Sequence, residues 1–411
     1  MNAHFDTLET RDPELRERAM LARLPQRIAH AKARAPAFAR ILDGVDAAAV
    51  TSRTALAAVP VTRKSELLDL QKAARPFGGF AASGWGAVRR VFASPGPIYE
   101  PEGAAPDWWR LARALFAAGI RPGDLVHNCF SYHFTPAGSM LETGAHALGC
   151  TVFAGGIGQT EQQVQAMAEL RPAGYVGTPS FLKIILEKAD EQGVALPSLV
   201  KALVSGEAFP NALRDQLAAR GIAAYQVYAT ADLGNIAYES PARSGLVVDE
   251  GVLVEIVRPG TGDPVPAGEV GEVVITSFNR DYPLVRFGTG DLSAVMAQPS
   301  PCGRTNARIR GWMGRADQST KVRAMFVTPK QVAEVLRRHA EVSKARLVVE
   351  GEVGSDRMTL KCESKNPPKG LAEAIVATIR DLTKLRGDVE LVAPGSLPND
   401  GKVIDDLRKY S

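Results

Sequence analysis

Cysteine is scarce in this chain. Only Cys129, Cys150, Cys302 and Cys362 occur in 411 residues, far apart and with no Cys-x-x-Cys pair. That argues against a disulfide framework and against a zinc site, so no zinc is expected and the thiols read as reduced. No apolar run approaches about 18 residues, the length that spans a bilayer, so no membrane partner is expected. Residues Met1 to Arg18 mix acids with bases and hold no apolar core of signal-peptide length, which points to a cytoplasmic protein. Like charges are not clustered: the net charge is only +4, with acids and bases interspersed. This is no footprint for nucleic acid, but it permits an anionic small-molecule ligand. Repeats and low-complexity tracts are absent too.

What is present is ordinary globular composition, 45% hydrophobic and 23% charged, in a chain longer than one typical core. Two domains are therefore expected. Residues 13–40 read as helical, interrupted at Pro36. Strands are expected at Val91-Phe92-Ala93, Leu125–Cys129, Thr151–Phe153, Ala173–Gly177, Ala202–Val204 and Ala224–Tyr228. Helices are expected between them, over Trp108–Ala118, up to Leu148, from a capping box at Thr160-Glu161-Gln162-Gln163, from Thr178-Pro179 to about Gln192, and over Ala212–Arg220. Such alternation predicts an α/β fold with mostly parallel sheets flanked by helices, and a ligand site beyond the carboxyl ends of the strands.

From about residue 245 the pattern changes to strands without helices between them, a small antiparallel subdomain ending at Asp291. It closes on Phe287-Gly288-Thr289-Gly290-Asp291-Leu292-Ser293. A Thr-Gly-Asp there is read as a tight turn at a strand end, where Gly290 permits close approach and an ionised Asp291 can accept from both hydroxyls of a ribose. The bland alternative is an Asx turn that caps its own backbone. Past Asp317, a helix–strand–strand–helix–strand order predicts a compact α+β unit ending in a loop through Lys402. The expected boundary puts 1–316 in the large domain and 317–411 in a small mobile one.

The ordered stretches Ser-Gly-Glu (205–207), Tyr-Ala-Thr-Ala-Asp-Leu-Gly (228–234), Phe-Gly-Thr-Gly-Asp-Leu (287–292), Gly-Arg-Ala-Asp (314–317) and Gly-Lys (401–402) resemble the AMP-forming adenylating enzymes. More narrowly, the chain resembles the phenylacetate–CoA ligase family, with further likeness at Leu-Pro-Gln-Arg-Ile (24–28), Val-Thr-Arg-Lys-Ser-Glu-Leu (61–67) and Pro-Cys-Gly-Arg-Thr (301–305). The resemblance implies a two-step acid–CoA ligase using ATP, Mg²⁺ and coenzyme A, with aryl or arylalkyl acids as substrates by family likeness alone. It implies that Asp291 holds the ribose diol and that Arg315 meets phosphate or ribose oxygens. Gly206, Glu207 and Ala208 would border adenine, with Tyr228 stacked on it and Thr230 beside the nucleotide. Asp232 falls on the magnesium position, Asp317 on the hinge of a rotating C-terminal domain, and Lys402 on the catalytic lysine facing the reacting carboxylate and α-phosphate. Tyr132, Phe134, Ala137 and Gly138 would border the acid. A homodimer is common among such folds.

The sequence departs from that pattern where the family carries a Ser/Thr/Gly-rich, lysine-containing phosphate loop. Here the chain reads Ala93-Ser94-Pro95-Gly96-Pro97-Ile98-Tyr99-Glu100-Pro101. The prolines remove N–H donors, the lysine is gone, and Glu100 adds an acid. Ala231 replaces the usual threonine, and Ala324 stands where the family has Gly. The alternative expectation is therefore a non-catalytic relative that binds AMP, acyl-adenylate or acyl-CoA.

Overall fold

The computed structural model describes residues 3–316, 320–323, 325–351, 356–398 and 403–408. The chain divides into two compact units, Met1–Gly314 and Arg315–Ser411.

The first unit is built on a nine-stranded sheet. Five strands run parallel in the order Thr151–Ala154, Leu125–Asn128, Gly174–Gly177, Lys201–Val204 and Ala223–Thr230. Short apolar runs such as Ala202-Leu203-Val204 alternate with helices at Ala137–Leu148, Thr160–Leu170, Pro179–Glu191 and Asn211–Ala219. The α/β expectation is met. The sheet then turns antiparallel through Gly234–Glu239, Leu246–Val248, Arg308–Ile309 and Val295–Met296. Leu246–Val248 thus pairs in the large sheet, not in the antiparallel subdomain expected to begin near residue 245. A second sheet has the order Thr62–Arg63, Phe287–Ser293, Gly271–Ser277, Val252–Val257.

Several local readings need correction. The stretch 13–40 forms three helices, Pro13–Leu21, Leu24–Arg34 and Pro36–Ile41. The helix expected from Trp108 starts only at Ala112, because the Asp107 carboxylate accepts from the N–H groups of Leu111 and Ala112 at 2.7 and 3.1 Å. Val91–Ala93 belongs to a longer strand, Val88–Ser94, which forms a hairpin with Ile98–Gly103. The latter strand is not among those expected from the sequence. Its two acids lie two residues apart, hence on one face, and both are buried. The capping box at 160–163 is not formed: Gln159 occupies the cap position in a left-handed conformation, with no side-chain bond. The Gln163 amide instead donates to the carbonyls of Gly155, Gly156 and Gly158, at 3.0 to 3.2 Å. The Gln163 Oε1, the atom a capping box would use to accept the N-cap N–H, lies 2.6 Å from His127 Nε2 instead.

Thr289-Gly290-Asp291 is not a turn past a strand end. It lies inside the strand Phe287–Ser293, at an irregularity where Glu272 pairs with Leu292 but Val274 with Gly288. Residues 289–291 therefore face Val273 alone, and Gly290 takes a φ of 75° that L side chains avoid. The Thr289 hydroxyl closes the bulge, donating to the Val273 carbonyl at 3.0 Å and accepting from the Asp291 N–H at 3.1 Å.

The second unit packs helices Pro329–Arg338 and Leu371–Thr383 with a four-stranded sheet. Its order is Asp388–Val392, Arg357–Glu363, Lys344–Glu350, Ile404–Asp406. Val332, Val335, Leu347, Val349, Leu360, Ile375 and Ile379 form its core. Ile404–Asp406 extends the expected order by one strand. Among the described residues no helix is long and apolar enough to cross a membrane.

Candidate functional site

The bulge lifts the Asp291 carboxylate out of the ladder toward the end of Ala223–Thr230. There Tyr228 donates its hydroxyl to Asp291 Oδ2 at 2.8 Å, and Trp312 donates its indole N–H to Oδ1 at 3.1 Å. A carboxylate held on both oxygens by aromatic donors has a fixed orientation. Thr230 follows two residues later and accepts from the Leu233 N–H at 3.2 Å, turning the chain so that Asp232 is buried.

Asp232 is paired with Lys64, the first residue of the helix Lys64–Ala73. Its Oδ2 takes the ammonium, while its Oδ1 is buried with no hydrogen-bond partner among the described residues. The hairpin 88–103 brings Glu100 to the same place. Glu100 is fully buried, and it accepts from the Ser94 N–H at 3.2 Å and from the Ser94 hydroxyl. Burial first, and the Asp232 charge second, push the Glu100 carboxyl up to about 8, against the pull of Lys64 and of Ser94. One ammonium is thus shared by two acids, and one proton makes up the difference. The buried Tyr282 hydroxyl feels both acids and has no hydrogen-bond partner among the described residues; burial holds it well above the usual phenol range.

The next acid on that strand face, Glu102, accepts from Arg90 at 2.9 Å and from the Ser139 hydroxyl at 2.6 Å. Ser139 lies on the helix Ala137–Leu148, and Ala93 donates its N–H to the Phe134 carbonyl at 2.8 Å. The hairpin is therefore stitched to the 131–139 stretch at both levels. Within that stretch Asn128 donates to the Tyr132 hydroxyl and to the Gly138 carbonyl, at 2.8 and 2.9 Å. A Cβ on Gly138 would meet the Ser131 carbonyl oxygen at 2.7 Å, so glycine is required by close backbone approach. Ala137 opens the helix, and the Phe134 side chain is exposed. Close by in the sheet, His127 is buried between Phe153, stacked at 4.9 Å, and Gln163, whose Oε1 lies 2.6 Å from its Nε2. Burial lowers the imidazole from its usual range.

Gly206 takes a φ of 86° after the strand Lys201–Val204. The Glu207 carboxylate turns toward the helix Pro179–Glu191 and accepts from the Ser180 N–H at 2.7 Å. Arg315 opens the second unit. Asp317, Ala324 and Lys402 lie outside the described residues.

The structure thus joins Tyr228 to Asp291, with Thr230 and Asp232 following two and four residues along the chain, and separately ties Tyr132, Ala137 and Gly138 to the hairpin. Lys64, Tyr282, Trp312 and Gln163 escaped sequence reasoning. The Glu100–Glu102 spacing was the one available signal that the acids share a face. A Mg²⁺ ion takes one or two carboxylates and keeps water and phosphate oxygens. The unpartnered Oδ1 of Asp232 fits that role, although Lys64 competes for the same carboxylate. Among the described residues, no three His, Cys, Asp or Glu side chains cluster into a metal cage.

Residues 110–279 match the model of the AMP-binding enzyme family. A phenylacetate–coenzyme A ligase of Thermus thermophilus is 32% identical over 98% of this chain and 99% of its own. The Escherichia coli phenylacetate–coenzyme A ligase is 28% identical over 99% of this chain and 98% of its own. The crystal structure of 2-hydroxyisobutyryl-CoA ligase in complex with 2-HIB-AMP and CoA, in the thioesterification state, superimposes with a TM-score of 0.84. It is 25% identical, with 98% of this chain and 92% of that one covered. On likeness of that extent and length, the chain belongs to the phenylacetate–coenzyme A ligase family.

Proposed function

We propose that the protein is an AMP-forming acid–CoA ligase for an aryl or arylalkyl acid. A carboxylate oxygen attacks the α-phosphorus of ATP and pyrophosphate leaves. The thiol sulfur of coenzyme A then attacks the acyl carbon, the bond to AMP breaks, and the thiol proton passes to solvent. Asp291 accepts the ribose hydroxyls, the 206–208 backbone borders adenine, and Tyr228 and Thr230 line the nucleotide. Arg315 faces nucleotide oxygens, Asp232 holds Mg²⁺, which when bound would neutralise phosphate charge, and Lys402 stabilises charge at the reacting carboxylate. Tyr132, Phe134, Ala137 and Gly138 border the acid, with Asp317 as the hinge. A cytoplasmic location and a homodimer belong to the same reading.

The observation that carries this reading is the Asp291 carboxylate, lifted from its strand by a glycine bulge and held by Tyr228. The acyl-adenylate and CoA held by the 2-hydroxyisobutyryl-CoA ligase relative support it. Acid-dependent exchange of labelled pyrophosphate into ATP, across a panel of aryl acids, is the test. Exchange is expected with at least one acid. Lys402→Ala is expected to abolish it while AMP still binds. Absence of exchange with every acid, alongside AMP binding, would sink the ligase reading. It would leave the second one, a non-catalytic binder of AMP, acyl-adenylate or acyl-CoA, which the acid-filled hairpin favours.

A further inference from the structure

We propose that Glu100 makes this site selective for a nucleoside monophosphate or adenylate over a nucleoside triphosphate. The inference rests on the reading of Asp291 as a ribose ligand, and it holds whether or not the chain catalyses ligation. A triphosphate needs several N–H donors or cations around its last two phosphates. Between Ser94 and Ile98, which pair in the ladder, lie Pro95, Gly96 and Pro97. The two prolines have no N–H, which leaves Gly96 as the one backbone donor of the turn. Ser94 brings two more donors, its N–H and its hydroxyl, and both are already taken by the Glu100 carboxyl. The chain's own side chain thus sits on the donors that a phosphate would use.

The charges point the same way. The Lys64 ammonium is engaged by Asp232, and Glu100 is the second acid within reach of that one cation. The group Lys64, Asp232 and Glu100 carries no net positive charge in any state with Lys64 protonated and Asp232 ionised. Two further phosphates would enter a buried, uncompensated region, while a single α-phosphate need not reach it. Glu100 cannot swing aside cheaply, since it is fully buried in a hairpin stitched to the 131–139 stretch through Glu102–Ser139 and Ala93–Phe134.

Isothermal titration of the full chain with AMP and with ATP, each with Mg²⁺, tests this directly. The unaltered protein is expected to bind AMP about tenfold or more tighter than ATP. Glu100→Ser frees both Ser94 donors and is expected to tighten ATP binding by about tenfold with little change for AMP. Glu100→Gln keeps the shape and guards against a folding defect in the serine variant. Its amide leaves one oxygen to accept from Ser94 and should tighten ATP binding by about threefold. Equal affinity of the unaltered protein for the two nucleotides would overturn the inference. So would an unchanged ATP-to-AMP ratio in a folded Glu100→Ser protein or, if that variant does not fold, in Glu100→Gln. Failure of both nucleotides to bind the unaltered protein would instead strike at the ribose reading of Asp291.

Discussion

Removing the Lys64 ammonium tests the buried cluster most directly. The Asp232 side chain is fully buried and that of Lys64 is 23% exposed, so Lys64→Met leaves a carboxylate in the interior with no counter-ion. Methionine retains most of the aliphatic stem, which confines the loss mainly to charge. Breaking a buried pair from one side costs roughly 3–5 kcal/mol, and the partial exposure of Lys64 puts the expected loss near the lower bound, about 3 kcal/mol. With a urea dependence of about 3 kcal/mol per molar, the midpoint should fall by about 1 M. All four tryptophans, Trp85, Trp108, Trp109 and Trp312, lie in the first unit, so tryptophan fluorescence reports its unfolding without signal from the second. Adding Asp232→Asn should recover much of the loss, because the second change removes the stranded charge. A midpoint shift below about 0.2 M for Lys64→Met would refute the account. A double variant no more stable than the single one would refute it too.

Two further outcomes are expected. The Glu100 carboxyl keeps its proton to about pH 8 when folded but loses it near the ordinary glutamate value when unfolded, so the native state binds more protons in between. Stability should therefore fall as pH rises through that window and level off above it; between pH 6 and 9 the fall due to Glu100 is about 2–3 kcal/mol. Glu100→Gln should flatten this part of the urea-midpoint profile, and an unchanged slope would remove the protonated-Glu100 account; Asp232, Lys64, Ser94 and Tyr282 stay in place as the control surroundings. Gly138→Ala forces a methyl against the Ser131 carbonyl, which is backbone and cannot rotate away. A stability loss of about 1–3 kcal/mol is expected from that overlap. It should come with altered acid preference and unchanged AMP affinity by titration, and unchanged stability would show that the stretch relaxes freely.

The alternating part of the fold was legible because its signals are local. Lys201–Val204 is apolar and short, and the Thr178 hydroxyl accepts from the Phe181 N–H just where Thr178-Pro179 announces a helix start. The hairpin was not legible because what makes Ile98–Gly103 a strand is remote. Its acids are tolerable inside only through Ser94, Arg90, Ser139 and Lys64, and no window of sequence contains them together. The capping-box reading failed for a similar reason. Gln163 has the right spacing, but its Oε1 is engaged with His127 and its amide donates to three glycine-loop carbonyls. Thr289-Gly290-Asp291 was recognised by residue type, whereas its position inside a bulged strand depends on the pairing with Gly271–Ser277.

That bulged strand has one more neighbour. Thr62 and Arg63 run parallel to it, opposite Phe287 and Gly288, and Lys64 is the next residue along. Asp291 is therefore carried by one strand of the sheet, and Lys64 directly follows the strand beside it. The sheet acts as a ruler between the place proposed for the ribose and the buried charge group, with its spacing set by main-chain hydrogen bonds. Lengthening the 289–291 bulge by one residue would reset that spacing while leaving every side chain of the site in the sequence.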